Sequence, residues 1–152
     1  MPRFGSSRAL VLVAGALVLV VGVGAAAVGL VPRALEVRDY ERDVAGRFQQ
    51  VASCHGTQEC SAAATAERVT ALRTSVAAQD VSSRLAPIQA AFVDQLEAEA
   101  TFWRLQAARK AGSAVSPAGI DQAEDAMVSA GTRRGELVEA TGGPLLRFVE
   151  DR

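Results

Sequence analysis

The sequence predicts an all-α membrane protein, with one N-terminal transmembrane helix followed by an extracytoplasmic up-and-down four-helix bundle. Three observations predict it. Residues Ala9 to Val31 run without a charged, polar or proline residue. Beyond them apolar side chains recur every three or four positions, and no stretch keeps the two-residue alternation of a half-buried strand for long. Serine, proline and glycine then punctuate the chain where helices would start and stop.

The apolar run comes first. At about 1.5 Å rise per residue it reaches roughly 35 Å, enough to cross a hydrocarbon core of ~30 Å. Residues 1–8 are then a short cytoplasmic tail, 9–31 a signal-anchor, 32–143 the helical bundle domain and 144–152 an apolar C-terminal segment. A competing reading is a signal peptide cut after Ala27, where Ala25 and Ala27 meet the small-residue cleavage pattern and the product is a secreted helical protein. Apolar character continues through Leu30 and Val31, and the run exceeds the ~7–15 residues of a signal core, which favours the anchor.

Charge does not orient the segment. Arg3 and Arg8 precede it, whereas Arg33, Arg38, Arg42 and Arg47 come after it, interleaved with Glu36, Asp39, Glu41 and Asp43 in what reads as a folded helix. The cysteines decide instead: Cys54 and Cys60 form a close pair beyond the membrane, most simply a disulfide in an oxidising compartment, which puts the bulk of the chain outside the cytoplasm.

The first bundle helix is expected from about Pro32 to Ala52, striped by Val37, Tyr40, Val44, Phe48 and Val51. Proline is tolerated at a first-turn position; alternatively it bends one continuous rod that includes the membrane segment. A turn at Cys54 to Thr57 leads to an alanine-rich second helix with Ala62, Ala66, Val69, Leu72 and Val76 on one face. Pro87 disfavours helix in the residue before it, so a boundary falls around Asp80 to Ala86. The third helix carries the longest stripe, Ile88, Phe92, Leu96, Ala100, Trp103 and Ala107. The fourth has the clearest ends, Ser116 and Pro117 at its start and Gly142, Gly143 and Pro144 at its stop. Gly131 and Gly135 inside it allow a close crossing or split it near Thr132.

Composition excludes more than it assigns. A net charge of −1 and the absence of a basic cluster speak against nucleic acid as a partner. Lys110 is the only lysine, and abundant arginine, alanine, valine and glycine suggest a GC-rich bacterial coding sequence. The one constellation with ligand chemistry is Cys54, His55, Glu59 and Cys60. Its spacing matches no zinc, haem-attachment or thioredoxin-like pattern, so a structural disulfide outweighs a metal site or free thiols. Asp94 with Glu97, and Asp121 with Glu124 and Asp125, share helix faces but alternate with polar and basic residues, as a solvated surface does. No nucleophile elbow, phosphate loop or zinc-protease motif occurs, and no residue pattern requires a cofactor.

The expected function is therefore non-enzymatic: a single-pass module acting by protein–protein interaction, as an accessory subunit or envelope-facing structural protein. Leu145, Leu146, Phe148 and Val149 are the candidate partner contact, or else they fold back over the open end of the bundle. The alternative is a ligand-sensing bundle, with Phe102 and Trp103 lining a pocket between helices. In helix count it resembles the extracytoplasmic domains of bacterial chemoreceptors, although those return through a second membrane helix and this sequence ends at Arg152.

Overall fold

The structure, a computed structural model, describes the backbone of residues 7–53 and 60–143 and, within them, side chains from residue 29 onward. The described residues form four helices and no strand: α1 Ser7–Ala52, α2 Ala62–Ala77, α3 Ala86–Lys110 and α4 Pro117–Gly142. The all-α bundle expected from periodicity is what is found.

Its boundaries obey local chemistry. Ser61 caps α2, its hydroxyl accepting from the Ala64 amide at 3.2 Å, and Ser116 caps α4 through the Gly119 amide at 3.1 Å. α3 starts without a side-chain cap, Pro87 in its first turn tolerating the missing donor. α4 stops at Gly143, whose φ of 71° suits a residue without a Cβ.

Two open alternatives are decided. The first bundle helix does not begin at Pro32: α1 passes through it unbroken from Ser7, as the continuous-rod alternative has it. Proline deletes one backbone donor, and the helical ladder continues on both sides of it. Likewise α4 is not split near Thr132; Gly131 lies against the Gln95 side chain, and Gly135 faces open space. As for the transmembrane helix over 9–31, among the described residues no helix is long and apolar enough to cross a membrane. Of that run only Gly29, Leu30 and Val31 have described side chains, so the described residues do not support a membrane span there.

Each helix packs on its neighbours in sequence, and α4 closes on α1, all antiparallel. Arg33 and Glu41 of α1 meet Thr141 and Arg134 of α4 in reversed order. Glu36 and Arg47 reach Arg84 and Ser75 across the α2 side in the same way. The core stacks Val37, Tyr40 and Val44 from α1, Val69, Leu72 and Val76 from α2, and Ile88, Phe92, Leu96 and Ala100 from α3. α4 contributes less, with Ile120 and Ala123 buried and Leu137 and Val138 partly so. Phe48 and Phe92 meet edge to face across the centre, centroids 6.2 Å apart.

Polar side chains fasten the helix ends. Gln89 of α3 donates to the Val76 and Gln79 carbonyls at 2.7 Å each, tying α3 to the turn that follows α2, where the Val76 carbonyl also accepts from the Gln79 amide at 3.1 Å. Arg33 does the same for α4, donating to the carbonyls of Ala140 at 3.0 Å and of Thr141, where a cation also complements the helix dipole. Glu36 accepts from Ser82 at 2.5 Å and Arg84 at 2.8 Å, tying α1 to the α2–α3 connection.

Candidate functional site

At the end of the bundle opposite Leu30, α1, α3 and α4 diverge around an open groove of about 410 Å³. Phe48 and Ala52 come from α1, Gln95, Glu99, Phe102 and Trp103 from α3, and Met127, Val128 and Gly131 from α4. The arrangement results from spacing: Gln95, Glu99, Phe102 and Trp103 lie three and four apart, so one face of α3 presents them together. Phe102 and Trp103 are edge to face at 5.3 Å. Val128 is 60% exposed at the rim.

Glu99 is the unexpected member. Its side chain is buried at 4% exposure, on the apolar arc of α3 between Leu96 and Trp103, and Trp103 Nε1 donates to its Oε1 at 3.4 Å. Burial pushes its carboxyl above the ordinary carboxylate range, with the Trp103 hydrogen bond opposing. The sequence carried one signal for it, a carboxylate at the same helical phase as the core stripe.

The other carboxylates behave as a solvated face. Glu97 is exposed and paired with Arg73 at 2.7 Å and Arg104 at 3.6 Å, and exposed Asp94 lies 3.9 Å from Arg133. Asp121, Glu124 and Asp125 are exposed on α4. Among the described residues no group of three or more histidine, cysteine, aspartate or glutamate side chains is placed to hold a metal ion.

Cys60 is half-buried and disulfide-bonded. Cys54, His55 and Glu59 lie outside the described residues, as do Leu145, Leu146, Phe148 and Val149.

A second polar centre joins three helices. The Arg134 guanidinium of α4 lies over the Phe92 ring, 4.2 Å from its centroid. It pairs with Glu41 of α1 and donates to Gln95 of α3 at 3.4 Å. Beside it Tyr40 is buried, its hydroxyl without a hydrogen-bond partner among the described residues. Burial raises the hydroxyl's pKa above the ordinary tyrosine value, with Glu41 adding to the shift and Arg134 opposing it.

Comparison with protein-family models, with curated proteins and with solved structures finds no match to this chain.

Proposed function

We propose that this chain is a single-pass membrane module whose helical domain stands outside the cytoplasm and works by binding another protein, without catalysis. One observation carries the reading. The helix that contains the apolar run Ala9–Val31 is the same unbroken helix, Ser7–Ala52, that supplies the first wall of the bundle. The run itself, whose side chains up to Val28 lie outside the described residues, is by its sequence long enough at ~1.5 Å per residue to span a bilayer. A disulfide between Cys60 and Cys54, the only other cysteine, belongs to the same reading, since such bonds persist in oxidising compartments.

The groove supports a second reading, a ligand-binding bundle, because Phe102, Trp103 and Glu99 line it together. Crosslinking in intact membranes separates the two. A photo-activated group at Val128, on the groove's rim, is expected to join the full chain to one protein in repeated preparations. Recovery of the chain uncrosslinked, with a small molecule retained through purification and lost in Trp103→Ala, overturns the protein-binding reading in favour of the ligand.

A further inference from the structure

Glu99 breaks the pattern of its own helix. It falls between Leu96 and Trp103 on the arc of α3 that faces the bundle, where the helical period otherwise places apolar side chains. At 4% exposure it has given up nearly all its water, and burial holds its carboxyl above the ordinary range, so burial works against the charged form. A fold that gained nothing from a carboxyl there would be more stable with an uncharged side chain of similar size.

The carboxyl lines an aromatic groove. Phe48 of α1, Phe102 and Trp103 of α3 and Met127 of α4 form the walls, and among the described residues that line the groove Glu99 is the only ionisable one. Arg134, on the next turn of α4 after Gly131, is committed elsewhere: it pairs with Glu41, donates to Gln95 at 3.4 Å and covers the Phe92 ring. Trp103 Nε1 donates to Glu99 Oε1 at 3.4 Å, longer than the ~2.7–2.9 Å of a charge-assisted bond. A carboxylate accepts up to about four donors, so Trp103 uses only part of what Glu99 offers.

A buried acid among aromatic rings and a thioether is the complement of a cation carried on an apolar stem. The stem packs on the walls, and the head is drawn both to the carboxylate and to the ring quadrupoles. We propose that the groove receives a lysine or arginine side chain of the partner protein, its stem against Phe48, Phe102 and Met127 and its cationic head at Glu99. This rests on the protein-binding reading above. A side chain is selected over a free amine by the rim: Val128 is 60% exposed and carries apolar surface past the groove, where residues one turn away from the cation on a partner helix would pack. At about 410 Å³ the open groove has room for the cationic side chain and an apolar neighbour. The same carboxyl sets specificity, because an acidic residue at that point on the partner is repelled and a neutral one does nothing to offset the cost of burying Glu99.

Trp103, the only tryptophan, lies in the groove and reports its occupancy. With the full chain in detergent, phenethylammonium should change Trp103 emission at a concentration about tenfold lower than the neutral phenethyl alcohol requires, the ratio expected of a hydrogen bond between charged groups. Glu99→Gln keeps the shape of the site and should lose that preference. The second arm places a photo-activated group at Val128 in intact membranes. The crosslinked protein should carry a lysine or arginine within about one helical turn of the joined residue, and its yield should fall in Glu99→Gln by a factor similar to that lost by the ammonium probe. An equal response to ammonium and alcohol, or a preference that survives in Glu99→Gln, overturns the proposal. Capture of a protein whose yield is undiminished in Glu99→Gln, or whose joined segment has no cationic residue, overturns it while the protein-binding reading stands. An ammonium preference with no protein captured at Val128 means that a free amine fills the groove, and the protein-binding reading fails together with the proposal.

Discussion

Arg134 joins three helices, so its removal should be felt well beyond a surface ion pair. Arg134→Ala deletes the stacked cation over Phe92, a contact worth about 0.5–2 kcal/mol depending on desolvation. It also strands Glu41, whose side chain is 23% exposed against 16% for Arg134. A pair this sheltered exceeds the ~0.2–1 kcal/mol of exposed pairs, and the partner left behind adds a desolvation cost. Together the loss should be about 2–3 kcal/mol. At roughly 4 °C per kcal/mol for a domain of this size, Tm falls by about 8–12 °C. Arg134→Lys keeps the charge without the planar fork and should lose about half as much. The assay is denaturant and thermal unfolding of the full chain in detergent, monitored by helical circular dichroism and by Trp103 emission. A cycle with Glu41→Gln should show coupling of about 1 kcal/mol. Destabilisation by Arg134→Ala of less than about 0.5 kcal/mol, the usual scatter of surface substitutions, would refute the bridging role.

Three further outcomes are expected. Glu99 has a raised native pKa, so its contribution to stability is full below the unfolded carboxylate range and is lost as pH rises through the native value. Glu99→Gln, which can still accept from Trp103, should therefore stabilise the bundle at neutral pH and flatten stability against pH above the carboxylate range; an unchanged profile contradicts the burial argument. Tyr40→Phe removes a buried hydroxyl with no partner among the described residues, and urea unfolding should find it neutral to about 1 kcal/mol more stable; a loss of 1 kcal/mol or more would mean that the hydroxyl is bonded. Cys60→Ser opens the disulfide, and if the loop closes at Cys54 the cost should be about 2 kcal/mol with the bundle still folded, as thermal unfolding would show. Unfolding at room temperature would mean that the crosslink holds far more than a short loop.

Much of the fold was legible because its signals are local. Of the stripe Val37, Tyr40, Val44, Phe48 and Val51 the first three are buried and the last two partly so, and the five apolar residues marked on α2 are all buried. Ser116 with Pro117 and Gly143 mark both ends of α4 within a residue. The features that were not legible depend on distant partners. Whether the first bundle helix starts at Pro32 or runs through it was left open, because spacing does not weigh one lost backbone hydrogen bond against helix on both sides. Arg134 looked like any charged residue of an outer face, and only the antiparallel register brings it to Phe92 and Glu41. The groove needed the same information: Glu99, Phe102 and Trp103 share a face of α3 by spacing alone, but Phe48 and Met127 reach them only once three helices are in place.

The central claim is that the helix containing Ala9–Val31 stays joined to the bundle and in the membrane. Intact mass of the protein extracted from washed membranes tests it most directly, because α1 is one helix across the candidate cut after Ala27. A single membrane-bound species that retains residues 9–31 is the predicted result, and a species beginning at Val28 and released with the soluble fraction would contradict it.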